Sequence, residues 1–250
     1  MGTPCGLRTC TWHAVCGCDT TVSYGLQISA SGVAAAMYRQ DVLANNLANM
    51  DTVGFKPDIP RVQTRQAVRT EDGVGHLPSN KLLERLGGGV KITTNRINLG
   101  QGPLRLTSNP LDIAIQGEGF FSLENPHVRS AQTATLTRDG RFTMNSSGDL
   151  VSVTNGWKVL DESGRPITLL RGTRAEISGD GAIRQNGKVI ARVGVAKVDS
   201  PGVLEKMGNS SLSAPAAAVR QIPIEQRSLR QAAVEQSGVD ETRTLMDMTS

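Results

Sequence analysis

Six turn-forming dipeptides divide the middle of this chain into short segments and limit what those segments can fold into. Between Leu104 and Val198 they are Asp139-Gly140, Ser147-Gly148, Asn155-Gly156, Ser163-Gly164, Asp180-Gly181 and Asn186-Gly187. Glycine supplies the positive φ that tight hairpin turns require, and the segments between the dipeptides alternate apolar and polar residues. The pattern predicts an antiparallel, β-rich domain over residues 104–200. The clearest hairpin is predicted over residues 136–150, with its turn at residues 138–141.

A nearly unbroken apolar stripe near the N-terminus has the three- and four-residue spacing of one helix face. Its positions are Leu26, Ala30, Val33, Met37, Gln40, Ala44 and Leu47, and it is flanked by Ala36, Leu43 and Met50. The spacing predicts an amphipathic helix over about residues 29–50 that carries a coiled-coil seam. The alternative is a helix that packs only on its own domain.

The residues that follow this stripe predict how the helix ends. Gly54 is placed to adopt a positive φ, and the next residue but two is a proline, which cannot continue a helix. We therefore expect the chain to turn at Gly54, after which Phe55 can fold back onto apolar neighbours.

Three asparagines, Asn45, Asn46 and Asn49, crowd the last turns of the predicted helix. Asparagine has a poor helix propensity, and a buried amide must find hydrogen-bond partners. Polar residues in a helix seam can specify which partner and which alignment are accepted. We therefore predict that these residues fix the register of the helix against a partner; the alternative is that they face solvent.

The remaining segments predict connections and a second helix. Residues 57–103 are polar and interrupted by glycine, as expected for an extended arm or loops. Residues 201–238 are rich in Ser, Ala and Pro, and predict a linker that returns to the core.

Residues 239–250 predict the start of a C-terminal helix with Asp240 as N-cap and apolar positions at Val239, Leu245 and Met246. So short a helix is marginal alone and needs a partner. The fold class is therefore mixed: N- and C-terminal helices of coiled-coil type flank an antiparallel β-rich domain.

All four cysteines, Cys5, Cys10, Cys16 and Cys18, lie in the first eighteen residues. They could crosslink only a short tail to itself, so they cannot staple the fold. Their spacing lacks the paired C-x2-C pattern of structural zinc sites, and we predict no metal. Residues 1–21 have no hydrophobic period, which is typical of translated upstream sequence, and we expect them to be unstructured and the natural start to be Val22. A metal- or nucleic-acid-binding module that uses these cysteines is the alternative.

The charges and the polar residues do not predict a nucleic-acid site or a catalytic site. The net charge is +4, but the basic residues are scattered. No nucleophile motif accompanies His13, His76 or His127, and we predict neither an enzyme nor a cofactor. Gly117-Glu118-Gly119 is followed by two phenylalanines that continue a strand, so it predicts a tight β connection and not a phosphate loop. No run reaches the roughly 18–20 apolar residues of a transmembrane helix, and none resembles a secretory signal.

Four motifs together resemble those of the bacterial flagellar rod and hook proteins. Residues 43–56 read LANNLANMDTVGFK, which is similar to the family's A-N-N-L-A-N and T-x-G-F-K. Residues 108–121 read SNPLDIAIQGEGFF, which is similar to N-x-L-D-x-A-I-x-G-x-G-F-F. Residues 136–140, LTRDG, stand where the family has Y-T-R-x-G, and residues 235–240, EQSGVD, stand where it has E-x-S-N-V-D. The resemblance covers residues 22–250, although the family's final helix normally continues further, which suggests a truncated C-terminus.

The resemblance implies a structural subunit of the flagellar basal-body rod. Such subunits self-associate through paired terminal helices into a helical tube that transmits torque and forms part of the export channel. The partners it implies are other rod and hook proteins and the flagellar type III export apparatus, which exports subunits without a cleaved signal peptide into the rod that crosses the periplasm. A hook-type axial subunit is the alternative. The predicted assembly residues are Leu26, Val33, Met37, Leu43, Asn45, Asn46, Leu47, Asn49, Gly54, Phe55, Val239, Leu245 and Met246.

Overall fold

The computed structural model describes residues 20–66, 87–127 and 132–249, and the side chains from residue 26 onwards. The predicted N-terminal helix is present as α1, Thr20–Ala48, which begins nine residues earlier than expected and ends two residues earlier. The cysteine-rich residues 1–19 and His76 lie outside the described residues. Among the described residues, no helix has both the length and the apolar character needed to cross a membrane.

The second helix, α2, spans Glu241–Thr249 and starts as predicted. The carboxylate Oδ1 of Asp240 accepts a hydrogen bond from the backbone N–H of Arg243 at 3.1 Å, and the Asp240 carbonyl accepts one from Thr244 N–H at 2.9 Å. An aspartate at this position satisfies N–H groups that have no partner inside the helix. Asp240 is therefore the N-cap of α2.

The described residues form two compact units, the first of which comprises residues 20–36, 62–66 and 87–91 and the second residues 37–61, 92–127 and 132–249. In the described part of the first unit, the hydroxyl of Ser31 donates to the Ile28 carbonyl at 2.7 Å and accepts from Val90 N–H at 3.2 Å. Arg65 N–H donates to the Gly89 carbonyl at 2.9 Å. Helix α1 and two extended segments are thus joined within this unit.

Those extended segments belong to a two-stranded sheet of β1, Asp58–Thr64, and β2, Val90–Ile97. The strands occupy part of residues 57–103, which we expected to be an extended arm or loops. Where the structure describes this stretch, much of it is paired strand. The side chains of β1 are largely exposed, so apolar periodicity could not reveal the pairing from sequence.

The second unit carries most of the strands. They are β3 (Leu104–Leu106), β4 (Ile113–Ile115), β5 (Phe120–Glu124), β6 (Thr133–Thr137), β7 (Phe142–Met144), β8 (Leu150–Ser152), β9 (Lys158–Val159), β10 (Glu176–Ile177), β11 (Ala182–Gln185), β12 (Lys188–Arg192), β13 (Val195–Val198), β14 (Glu205–Gly208), β15 (Ser211–Pro215), β16 (Val219–Gln221), β17 (Leu229–Gln231) and β18 (Ala233–Glu235). Short 3-10 helices occur at Pro201–Val203, Ala216–Ala218 and Ile224–Gln226.

The largest sheet among the described residues has nine strands. Seven follow one another in the order β14-β15-β6-β5-β9-β8-β7, while β13 pairs with β5 and with β16. Strands β10, β11 and β12 form a smaller sheet, and β17 pairs with β4 and β18 with β3. The pairings in this unit from β3 onwards are antiparallel, as the turn dipeptides predict.

Two adjacent phenylalanines on β5 face different hydrophobic clusters. Phe121 lies in a cluster with Phe142 and Ile113, and its ring meets that of Phe142 edge to face at a centroid distance of 5.1 Å. Phe120 lies in a second cluster with Leu136. Side chains along a strand alternate between faces, so β5 carries apolar residues on both and is buried between the clusters.

The predicted hairpin over residues 136–150 is wrong. Strand β6 pairs with β5 and β15, while β7 pairs with β8. The other five turn glycines do have positive φ: Gly148, Gly156, Gly164, Gly181 and Gly187. Gly140 has another role. A Cβ at this position would lie 1.7 Å from the carbonyl oxygen of Ile113. The backbone N–H of Ile113 donates a hydrogen bond to the Gly140 carbonyl at 2.9 Å. Glycine is needed at this position for close approach to a neighbouring backbone.

The expectation that residues 201–238 form a linker is also wrong. This segment contains β14 to β18, and each of these strands pairs within the second unit. Strand β15 shows why the sequence was misleading: it reads SLSAP, in which buried Leu212 and Ala214 pair with β6. Small residues suit a closely packed sheet, but they give too weak an apolar signal to distinguish a strand from a linker.

Candidate functional site

Three segments that are distant in sequence meet at the side chain of Glu235, the last residue of β18. The Nζ of Lys56 lies 2.6 Å from one carboxylate oxygen of Glu235, and an Nη of Arg138 lies 2.9 Å from the other. The first oxygen also accepts the backbone N–H of Gly102 at 2.9 Å, and Lys56 donates to the carbonyl of Gly100 at 2.8 Å. The carboxylate thus joins the segment after α1, the end of β6 and the loop before β3.

These three side chains are almost fully removed from water, with 3%, 3% and 1% of the side-chain surface of Lys56, Arg138 and Glu235 exposed. Burial lowers the pKa of Lys56, and the charge and hydrogen bond of Glu235 oppose this effect. Burial likewise lowers the pKa of Arg138, again opposed by Glu235. Both directions reflect the cost of holding a cation in a medium of low dielectric constant. Two cations therefore depend on one carboxylate.

The chain reaches this network through Gly54, whose φ is +68° as the sequence predicts. Gly54 N–H donates to the carbonyl of Glu235 at 2.8 Å, and Gly238 N–H donates to the carbonyl of Phe55 at 3.1 Å. A Cβ on Gly54 would lie 2.5 Å from the backbone carbon of Arg138. Both the backbone conformation and the lack of space therefore require glycine.

The three asparagines near the end of α1 have different environments. Asn46 is buried, and its amide pairs with the backbone of Asp58, donating to its carbonyl at 2.8 Å and accepting from its N–H at 2.9 Å. Asn49 donates to the carbonyl of Asn45 and accepts the hydroxyl of Thr52, while Asn45 itself is exposed. Asn46 thus fixes the start of β1 against α1. The predicted role of these residues in setting register against a partner stays a prediction.

The predicted assembly stripe lies on the exposed side of α1. Leu26, Val33 and Met37 are 72%, 59% and 61% exposed. Ala35 and Val42, each nine residues after a stripe residue, are buried. At about 100° per residue, nine residues correspond to about two and a half turns, so the buried face is opposite the stripe. Along the described part of α1, the face with the more continuous row of apolar residues is therefore the face exposed to solvent.

The other predicted assembly residues differ in accessibility. Leu43 and Phe55 are buried and Leu47 is half-buried, so these side chains already pack against the chain itself. Leu245 and Met246 on α2 are exposed at 46% and 61%, and Val239 just before α2 is half-buried.

The sequence did not reveal Lys56, Arg138 and Glu235 as one group. Each lies in a motif that we had singled out, at the end of LANNLANMDTVGFK, within LTRDG and at the start of EQSGVD. Lys56 and Glu235 are, however, 179 residues apart. The available signal was one charged residue in each of three motifs, but the sequence does not say which charged residues meet.

Two family models match this chain. One described as flagella basal body rod protein matches residues 26–56, which cover most of α1 and the turn at Gly54. Another described as flagellar hook protein FlgE/F/G D1 domain matches residues 114–239, which hold β5 to β18 and the Arg138–Glu235 pair. The chain belongs to the family of flagellar basal-body rod proteins.

Individual relatives agree with this assignment. The chain is 32% identical to the flagellar basal-body rod protein FlgF of Mesorhizobium japonicum over 188 residues, which cover 75% of this chain and 70% of the relative. It is 34% identical to FlgF of Rhizobium meliloti over 189 residues, with the same coverage. It is 30% identical to the rod protein FlgG of Caulobacter vibrioides over 196 residues, which cover 74% and 71% of the two chains.

Proposed function

We propose that this chain is a structural subunit of the flagellar rod that self-assembles through the exposed apolar stripe of α1. The observation that carries the proposal is the exposure of Leu26, Val33 and Met37 on the face opposite the buried side of the helix. Exposed large apolar residues in a continuous row mark interaction surfaces. Heptad-like spacing is the pattern by which helices pair side by side. The stripe would form a coiled-coil seam with neighbouring subunits.

Helix α2 supports the same proposal. It has nine residues, fewer than the roughly 12–15 that an isolated helix needs for even marginal stability. Its exposed residues Leu245 and Met246 would be covered when terminal helices pair in the assembled rod. The proposed partners are further copies of this chain and the other rod and hook proteins.

The buried network suits a subunit that bears mechanical load. In a rotating rod, torque must pass between the helices and the β domain of each subunit. Glu235 with Lys56 and Arg138 ties the segment after α1 to that domain. Asn46 makes two hydrogen bonds to the backbone of Asp58, whose carboxylate pairs with Lys206 on β14. Interactions among buried charged groups are strong and directional, so this junction would resist bending.

The proposal extends to the path by which the subunit reaches the rod. We infer that it is exported by the flagellar type III apparatus without a cleaved signal peptide, and that the assembled tube both transmits torque across the periplasm and forms part of the export channel. These inferences rest on membership of the rod protein family. A hook-type axial subunit is the second candidate, because the family model over residues 114–239 also includes FlgE.

The test replaces stripe residues by aspartate in the native host. Val33→Asp and Met37→Asp should abolish swimming and remove the chain from purified basal bodies, because a charge cannot be buried in a helix seam without a partner. Circular dichroism should show an unchanged fold, since both side chains are already in solvent. The matched control is Val189→Asp, which changes a 51% exposed apolar residue on β12 and should leave swimming intact. Normal incorporation of Met37→Asp would overturn the proposal.

A further inference from the structure

A cavity of about 430 Å³ lies beside the Glu235 network, entirely within the second unit. It is lined by the last turns of α1, by the segment from Thr52 to Lys56, and by the turn between β14 and β15. Its polar lining includes the side chains of Thr52, Ser210 and Ser211. The volume falls within the range of about 300–1,000 Å³ that small-molecule sites occupy.

The charged residues that line this cavity are all cations: Lys56, Arg138 and Lys206, with no Asp or Glu among the lining residues. Two carboxylates outside the lining pair with them. Glu235 forms ion pairs with both Lys56 and Arg138. The Oδ2 of Asp58 lies 2.9 Å from the Nζ of Lys206. Three positive charges against two negative ones leave an excess of one positive charge at the cavity. A cavity with this balance attracts an anion.

One donor of the lining residue Arg138 lacks an acceptor. The Nε of Arg138 is buried and has no hydrogen-bond partner, although the Nη atoms of the same side chain donate to Glu235, Ile115 and Gly117. A buried donor without a partner is costly, and such groups in a native structure call for an explanation. Because only 3% of the Arg138 side chain is exposed, its guanidinium would act on an anion in the cavity through its charge and not through a hydrogen bond from Nε.

Lys206 occupies a position that suits ligand binding. Its Nζ lies 4.4 Å from the centroid of the Phe55 ring, and 26% of its side chain is exposed. The ring and Asp58 hold the ammonium group in place, while one side of it stays open to solvent. An ammonium group fixed in this way can make a charge-assisted hydrogen bond to an incoming oxyanion with little loss of side-chain entropy.

We propose that this cavity is a binding site for a carboxylate, supplied by a small dicarboxylic acid or by an acidic side chain of a second copy of the chain. The carboxylate would be held by Lys206, and the buried positive charge of Arg138 would add to the attraction. The site is separate from the stripe on α1, so it does not depend on the proposed assembly through that stripe.

The test titrates the full chain with sodium succinate at constant ionic strength and measures binding by isothermal calorimetry. Succinamide, a neutral analogue of the same shape, is the control for the charge. Saturable binding of succinate but not of succinamide is expected. Absence of saturable succinate binding, or equal binding of the diamide, would overturn a small-acid site without any need for a variant.

Variants at Lys206 locate the binding. Lys206→Met should weaken succinate binding roughly tenfold or more, because one charge-assisted hydrogen bond is lost. Lys206→Arg should retain most of the affinity. Lys197→Met, which removes an equally charged side chain that does not line the cavity, should bind as the wild type does. Equal affinities of the Lys206→Met and Lys197→Met variants would contradict the proposed site.

Sedimentation velocity distinguishes the two sources of the carboxylate. If a second copy supplies it, Lys206→Met should weaken concentration-dependent self-association and succinate should compete with self-association of the wild type. If a free acid supplies it, self-association should not respond to either change, while the calorimetric binding persists. Failure of both the calorimetric and the sedimentation effects would overturn the carboxylate site altogether, and would leave the role of the α1 stripe unaffected.

Discussion

Glu235→Gln tests whether the buried network holds the second unit together. The substitution keeps the size of the side chain and removes the negative charge between Lys56 and Arg138. At 2.6 and 2.9 Å and an effective dielectric constant of about 20, each attraction is on the order of 6 kcal/mol before the cost of burial is subtracted. Removing one partner of a buried ion pair typically costs about 3–5 kcal/mol, because the other charge stays buried without compensation.

The loss should be visible in thermal unfolding. For a chain of this size, 1 kcal/mol corresponds to roughly 2–4 °C, so the unfolding midpoint should fall by roughly 6–20 °C. The assay follows far-ultraviolet circular dichroism together with tryptophan fluorescence, to which Trp157, packed against the larger hydrophobic cluster, contributes. Adding Lys56→Met to Glu235→Gln should restore part of the loss, since one uncompensated cation is then removed.

The control for this prediction is Glu225→Gln, which neutralises an exposed carboxylate. It should change the free energy of unfolding by no more than about 0.5 kcal/mol. If Glu235→Gln costs less than about 1 kcal/mol, the reasoning that two buried cations depend on this carboxylate is wrong.

Three further changes test other contacts. Asn46→Ala removes two hydrogen bonds to Asp58 and should cost about 2 kcal/mol, with faster hydrogen exchange at the Asp58 amide as the specific readout. Gly54→Ala should cost about 1–3 kcal/mol more than Gly156→Ala, because both glycines have positive φ but only Gly54 lacks space for a Cβ; equal unfolding midpoints would contradict this account. Leu245→Asp should leave the unfolding midpoint unchanged and reduce swimming, and normal swimming would argue against a role of α2 in assembly.

Much of the local structure was predictable because it depends on adjacent residues. A glycine after Asn, Asp or Ser indicates a tight turn wherever the neighbouring segments can pair. Five of the six turn glycines have positive φ. Gly54 and the N-cap Asp240 were predictable for the same reason, since each feature is set within a few residues. The family assignment was accessible because the motifs are specific.

The predictions were wrong where the role of a residue depends on contacts with a distant part of the chain. Asp139-Gly140 looks like a hairpin turn, but position 140 requires glycine because the backbone of Ile113 leaves no room for a Cβ. Strand β15 looked like a linker, although Leu212 and Ala214 are buried against β6. No local pattern distinguishes a residue chosen for such a contact from one chosen for a turn or a flexible segment.

The Glu235 network shows the same limit for the candidate site. Lys56, Arg138 and Glu235 each stand in a motif, yet nothing in a single sequence indicates that they meet. Burial changes their importance: an exposed ion pair contributes about 0–1 kcal/mol, whereas breaking a buried one costs several times more. The exposure of these three side chains, and hence their contribution to the free energy of unfolding, depends on the packing of the whole second unit.

Photo-crosslinking in assembled basal bodies tests the central claim most directly, namely that the exposed stripe of α1 contacts neighbouring subunits. A benzophenone amino acid replaces Met37, basal bodies are purified after irradiation, and the crosslinked peptides are identified by mass spectrometry. The account predicts crosslinks to terminal-helix peptides of other rod subunits, and none from the buried position Val42 on the opposite face. Purified basal bodies that contain the chain but show no intersubunit crosslinks from Met37 would contradict it.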